Sequence, residues 1–313
     1  MPELPEAETI ARGLRPSLAG RTLRALEVVH EDVLPQGTET VRAAIRGRRI
    51  DEVGRRGKNL VLLLADAAGA EGSVSNDTVL LINLGMTGRL VVLPARPESG
   101  APSSASDSPP AAPPSGEEEP PDRPTHPALR FLLDDGATLV YDDIRRFGRV
   151  EALDGDEWRE RSRALGPEPL DPALEPGDLA DRLGSSRSPI RNVLLDQSRI
   201  AGVGNIYANE ALHRATIHPR RPADSLEKED FGRLLAALRD LLAAAIGAGG
   251  TTIRDYRDAS GRPGRYSRQL QVYDREGHAC GRCGESIERI IFGNRSAFLC
   301  PRCQPAGPEG GGR

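Results

Sequence analysis

All four cysteines of the chain lie in one stretch, Cys280-x2-Cys283-x16-Cys300-x2-Cys303, and this spacing constrains the fold more than any other feature. Two close pairs so separated suit tetrahedral coordination of zinc by four thiolates. A thioredoxin-like redox motif needs only one such pair. Disulfides do not suit a cytoplasmic chain, and the first 30 residues contain no apolar run of signal-peptide type. Four thiolates leave the metal no open position, so one structural Zn ion per chain is expected, holding a β-hairpin. Its strands are predicted at 287–292 and 296–299, with Gly293-Asn294 between them. Arg295 stands beside that tip, either as a guanidinium entering a groove or touching phosphate, or as a solvated turn residue.

The remainder divides by pattern. Residues 5–18 read as a helix, with Ile10, Leu14 and Leu18 at helical spacing and Gly20 after the end. Strand-like runs follow at 22–29, 49–53, 60–64, 79–84 and 88–93, and again at 129–133, 138–141 and 149–153. Between the two sets, residues 94–126 are rich in Pro, Ser, Ala and Glu and are expected to be disordered. Helices dominate from Asp156 to Ile246. The expected plan is therefore α+β and multidomain: a β-rich unit with a leading helix (1–153), a helical unit (154–260), a zinc hairpin (261–304) and a disordered tail (305–313).

The formal charge of −4 is unevenly spread. Residues 94–126 hold two arginines and six acids, whereas the chain from Arg182 onward holds 21 cationic and 14 acidic residues. A polyanion therefore has a place to dock in the C-terminal part. No apolar stretch reaches membrane-spanning length, so a soluble cytoplasmic protein is expected.

Two features point to chemistry. The chain opens Met1-Pro2-Glu3-Leu4-Pro5-Glu6. With Met1 removed, Pro2 becomes a secondary amine able to attack an electrophilic carbon, and Glu3 is placed to move protons at the same centre. The same six residues also suit a helix start, with proline and acids in the first turn. Second, of 42 Lys+Arg only Lys58 and Lys228 are lysine. Lysine can give up its proton and arginine cannot. Lys228 lies on an acidic helix start, whereas Lys58 precedes the apolar run 60–64, as a reactive amine or as a strand-edge charge.

Seven motifs occur together: Pro2-Glu3-Leu4-Pro5-Glu6, Arg56-Gly57-Lys58, Leu84-Gly85-Met86-Thr87-Gly88, Arg145-Arg146-Phe147-Gly148, Leu165-Gly166-Pro167-Glu168-Pro169-Leu170, Gly202-Val203-Gly204-Asn205-Ile206-Tyr207 and the cysteine module. In this order they resemble the formamidopyrimidine-DNA glycosylase family, which includes the endonuclease VIII-like enzymes. The Leu4-Pro5 continuation looks like its oxidised-purine branch. The resemblance implies an N-terminal β-sandwich, a helix–two-turn–helix domain and a zinc hairpin. It implies a monomeric, bifunctional DNA glycosylase and AP lyase of base excision repair, acting on double-stranded DNA with oxidised bases or abasic sites.

By the same resemblance Pro2 attacks C1′ of an 8-oxoguanine or formamidopyrimidine nucleotide, Glu3 shuttles protons with Glu6 in support, and Lys58 lies near the lesion and its phosphate. Met86, Arg145 and Phe147 fill the void left by an everted base, although core packing is the ordinary use of Met and Phe. Asn205, Arg187, Arg191 and Arg295 are implied DNA contacts, and residues 261–266 a loop over the lesion. The five histidines are read as structural. Three departures stand out: the insert at 94–126, Ile144 where the family has proline, and the dependence on Met1 removal. An oxidised-pyrimidine glycosylase and a non-catalytic binder of damaged DNA are the competing readings.

Overall fold

The computed structural model describes residues 2–66, 78–95, 124–253, 256–293 and 295–306. Met1, Asn294, most of the acidic insert and the end of the tail lie outside the described residues, and so do the expectations placed on them.

The leading helix α1 (Leu4–Leu18) takes Pro5 into its first turn, where the missing N–H costs nothing, and buries Ile10, Leu14 and Leu18 as their spacing requires. Strand β1 (Leu23–Val28) follows, then a short helix α2 (Thr38–Ile45) that sequence patterning missed. Only Val41 and Ile45 of α2 are buried, too few for a periodic signal. Next come β2 (Arg48–Arg56), β3 (Asn59–Asp66), β4 (Thr78–Asn83), β5 (Arg89–Leu93), β6 (Pro127–Leu133), β7 (Thr138–Asp142) and β8 (Arg149–Leu153). They form two four-stranded antiparallel sheets, ordered β1-β6-β7-β5 and β2-β3-β4-β8. Leu26, Leu62, Leu80, Ile82, Phe131 and Leu139 belong to one shared core, which makes the pair a sandwich.

The helical part holds α3 (Gly155–Arg163), α4 (Pro176–Leu183), α5 (Ile190–Leu194), α6 (Asn205–Arg214) and α7 (Lys228–Gly247). Its core includes Leu179, Leu194, Tyr207, Leu212, Leu234 and Leu238. Leu4 belongs to this second core, while Ile10, Leu14 and Leu18 belong to the sandwich. One helix is thus rooted in both units, and the chain's first residues lie at their seam. Tyr266 and Leu270 also pack into the helical core, so residues expected in the zinc unit, and the end of the expected lesion loop, are anchored there instead. The zinc hairpin itself is β9 (Glu288–Phe292) paired antiparallel with β10 (Arg295–Leu299). Among the described residues, no helix is long and apolar enough to cross a membrane.

Candidate active site and DNA-facing surface

Pro2 and Glu3 are both buried at the seam. The Glu3 carboxylate faces the N-terminus of α6, accepting from the backbone N–H groups of Gly204 at 2.8 Å, Ile206 at 2.9 Å and Tyr207 at 3.4 Å. These are among the amides a helix start leaves without internal partners, and the helix dipole favours an anion there. Glu6 reaches back to the Glu3 N–H at 2.8 Å and accepts from the Tyr207 hydroxyl and the Thr251 N–H, each at 2.7 Å. Burial raises the Glu3 carboxyl above its ordinary range, opposed by Lys58 and the α6 amides. Burial and then the Glu3 charge push Glu6 up to about 7.

Gly202 and Gly204 have a close occupant in the first residues of the chain. A Cβ on Gly204 would lie 2.3 Å from Glu3 Cδ, and one on Gly202, at φ +90°, would lie 2.5 Å from a Leu4 methyl. The Leu4 N–H completes the seam by donating to the Gly202 carbonyl at 3.0 Å. Gly-Val-Gly therefore lets the first residues of the chain press against the start of α6.

Lys58 sits in the two-residue turn Gly57-Lys58 that joins β2 to β3. Gly57 has φ +60° at the first central position, the conformation a type II′ turn assigns to glycine. Glu168 clamps this turn: it accepts from the Gly57 N–H at 2.7 Å and pairs with Arg55 at 2.5 Å and Arg56 at 3.3 Å. Arg55 also pairs with Glu8 of α1 at 2.7 Å. These partners carry β2 past its apolar residues through Arg55 and Arg56, beyond the end that its apolar pattern predicts. Burial lowers the Lys58 ammonium pKa; Glu3 and Glu6 oppose that and Arg295 adds to it. The scarce lysine, the N-terminal acids and the hairpin arginine are therefore electrostatic neighbours. The role of Glu168 was not read from sequence, although its place in Leu165–Leu170 was the available signal.

The Met86 turn and the 144–147 loop are joined from beneath by buried Asp143. Asp143 accepts from the Thr87 hydroxyl at 2.6 Å, the Arg145 N–H at 3.2 Å, the Gly148 N–H at 3.1 Å and the Tyr141 hydroxyl at 3.1 Å. Gly85 allows the close pass, since a Cβ there would lie 2.5 Å from the Gly148 nitrogen. Met86 is 43% exposed and Phe147 59% exposed, so neither packs a core. The Arg145 guanidinium carbon stands 4.6 Å from the Phe147 ring centroid. Ile144, 59% exposed, adds a further apolar group to the tip. Arg146 holds φ +52° and is tied to Asp32 at 3.2 Å and to His30 Nδ1 at 3.1 Å.

The remaining expected contacts separate. Arg187 has a side chain 97% exposed and pairs with Asp224 at 4.0 Å. Arg191, expected as a phosphate or lesion contact, is instead buried at 2% exposure. It donates to Asn205 Oδ1 at 2.6 Å and to the Ser296 carbonyl at 3.3 Å, while Asn205 Nδ2 donates to that carbonyl at 3.1 Å. Arg191 and Asn205 thus tie α5 and α6 to the zinc hairpin, because a guanidinium's several donors can serve acceptors on several elements at once. Arg295 is exposed at the head of β10.

The Sγ atoms of Cys280, Cys283, Cys300 and Cys303 all lie within 4.8 Å of one another. Individual separations are 3.4 Å for Cys283–Cys300, 3.5 Å for Cys303–Cys283 and 3.9 Å for Cys280–Cys303. Zn–S bonds of about 2.3 Å in a tetrahedron put sulfurs about 3.8 Å apart, so the four thiols fit zinc. Buried His213, read only as structural, places Nε2 3.6 Å from Cys280 Sγ. Glu210 holds the crossing into the module, accepting from the N–H groups of Gln271, Val272 and Tyr273 at 2.9, 2.9 and 2.8 Å.

Three family models match the chain in order. The formamidopyrimidine-DNA glycosylase N-terminal domain covers residues 1–150, its H2TH domain 165–257, and a zinc finger found in FPG and IleRS 277–306. The formamidopyrimidine-DNA glycosylase of Chloroflexus aggregans is 42% identical, over 97% of this chain and 98% of its own. That of Thermomicrobium roseum is also 42% identical, over 97% of this chain and 99% of its own. Among solved structures, the Lactococcus lactis Fpg in complex with abasic-site DNA has a TM-score of 0.79 at 29% identity, covering 97% of this chain and 100% of that one. The MutM (Fpg) protein of Thermus thermophilus has a TM-score of 0.77 at 38% identity, covering 98% and 100%. With its three domains in this order and relatives of this identity along nearly its whole length, the chain belongs to the formamidopyrimidine-DNA glycosylase family.

Proposed function

We propose that the protein is a bifunctional DNA glycosylase and AP lyase that removes oxidised purines, 8-oxoguanine and formamidopyrimidines, from duplex DNA. The observation that carries this reading is the convergence at the seam: the N-terminal Pro2, the Glu3 carboxylate held by α6 amides, and Lys58 close enough to act on the Glu3 charge. The Pro2 nitrogen lone pair forms a bond to C1′ as the bond from C1′ to the base breaks. Glu3, whose raised pKa favours a carboxyl that carries a proton, protonates the sugar-ring oxygen so that the ring opens to an iminium. Loss of a C2′ proton then expels the 3′ phosphate, and a second elimination expels the 5′ phosphate. Lys58 serves the proton transfers that arginine cannot perform. Glu6 orients Glu3 through its backbone N–H.

Residues 1–153 carry this chemistry, 154–260 the helical DNA-binding part and 261–304 the zinc hairpin. Zinc at Cys280, Cys283, Cys300 and Cys303 is structural, since four thiolates leave no position for substrate. Met86, Arg145 and Phe147 occupy the gap left by the everted nucleotide, which costs a few kcal/mol to unstack. Asn205, Arg187 and Arg295 face the backbone, Asn205 with Arg191 as its support. The substrate assigns the enzyme to nucleoid DNA in the cytoplasm.

Borohydride reduction during reaction with an 8-oxoguanine·C duplex tests this directly. A covalent adduct mapped to Pro2 by mass spectrometry is expected, and residues added before Pro2 should abolish it. An adduct on Lys58, or active protein that retains Met1, would overturn the assignment. Equal processing of a thymine glycol duplex would favour the oxidised-pyrimidine reading.

A further inference from the structure

Phe292 ends β9 at the tip of the zinc hairpin, and the guanidinium carbons of both Arg191 and Arg220 stand 5.1 Å from its ring centroid. Separations under about 6 Å are in the attractive cation–π range. The two arginines differ in what else they touch. Arg191 is buried and donates to neutral acceptors, Asn192 Oδ1, Asn205 Oδ1 and the Ser296 carbonyl. Arg220 is exposed; its backbone N–H donates to His218 Nδ1 at 3.1 Å, and its guanidinium pairs with no carboxylate among the described residues.

A third cation closes the group. Arg295 lies opposite Phe292 in the hairpin register, and burial first and then the Arg295 charge lower the pKa of both Arg191 and Lys58. Glu288 acts on the neighbouring His218, and among the described residues it makes no ion pair with Arg220. Like charges gathered without a counter-charge repel, and an anion from outside is what relieves that repulsion. The aromatic ring holds Arg220 by its face, which leaves the donor edge of the planar guanidinium free to bond.

We infer that Arg220, held against Phe292, is a further contact for a backbone phosphate of the DNA, beside the position of Arg295 at the hairpin tip. The inference rests on the DNA-repair reading above. A phosphate contact of this kind sets position and affinity but carries no lesion or sequence preference.

Binding of the full-length, zinc-loaded protein is measured against salt on two duplexes, one undamaged and one with an unreactive tetrahydrofuran abasic analogue. Each phosphate contact contributes about 0.9 to the slope of log K against log salt. Arg220→Ala is expected to flatten that slope by about 0.9 on both duplexes and to weaken both by the same factor. Arg220→Lys, which keeps the charge, is expected to keep most of the slope. An unchanged slope in Arg220→Ala, or a loss confined to the abasic duplex, would overturn the inference. Failure of the wild-type protein to form a Pro2 adduct would instead strike the function reading, and leaves the salt comparison readable on its own.

Discussion

Glu3 and Gly204, two hundred residues apart in sequence, meet in a single hydrogen bond of 2.8 Å from the Gly204 N–H to the Glu3 carboxylate. The absence of a side chain at 204 is what allows it, because a Cβ there would lie 2.3 Å from Glu3 Cδ. Gly204→Ala is therefore expected to lower single-turnover excision at saturating DNA by tenfold or more (~1.4 kcal/mol per tenfold) while affinity for an abasic-analogue duplex changes little. If affinity falls and saturated excision does not, the glycine serves the DNA backbone rather than Glu3.

Lys58→Arg retains the charge but removes a group able to release its proton. Excision and strand cleavage should fall far more than DNA affinity, whereas Lys228→Arg at the exposed start of α7 should be silent. Equal, small effects of the two substitutions would make Lys58 an ordinary charge.

Glu6 links pH to stability. Burial and the neighbouring Glu3 charge raise its pKa from an ordinary 4.5 to about 7, so the folded protein holds the proton more tightly than the unfolded chain. The contribution of the neutral carboxyl is complete below the unfolded pKa and is lost as pH rises through about 7. At the upper end of that window the loss is on the order of 3 kcal/mol. Glu6→Gln, which stays neutral, should gain in melting temperature relative to wild type as pH rises from about 5 to 8. A difference that stays constant across that range would refute the link.

Phe147 is 59% exposed beneath the Arg145 guanidinium, so its truncation should leave thermal stability nearly unchanged. Base–aromatic stacking is worth about 1–3 kcal/mol, which sets a loss of roughly 5- to 150-fold in excision from duplex DNA for Phe147→Ala. A pre-formed abasic site needs no base extraction, so cleavage there should fall much less. Parallel losses on both substrates, or early melting, would assign Phe147 to packing.

Zinc removal, or Cys280→Ser, should free the hairpin carrying Arg295 and abolish specific DNA binding while the sandwich keeps its own cooperative unfolding. The module has a separate small core of Val272, Ile287 and Phe298, and the sandwich core shares none of it. Chelated protein that excises lesions at the native rate would contradict this.

The sequence by itself determined the elements whose signals are local. Helical spacing located α1, alternating runs located the eight sandwich strands, and paired cysteines located the zinc hairpin, because each pattern needs only residues near in the chain. Lys58 stood out by composition, and Met86 and Phe147 through the family resemblance. Tertiary structure alone decided how these parts meet. Arg191 reads as a DNA contact in sequence, yet is buried because Asn205 and the Ser296 carbonyl arrive from other elements to satisfy it. Nothing local in the sequence singles out the roles of Asp143 and Glu168, which appear only once the loops they bind come together. A buried polar group is stable only with its partners in place, and those partners are distant in the chain, so no local pattern announces them.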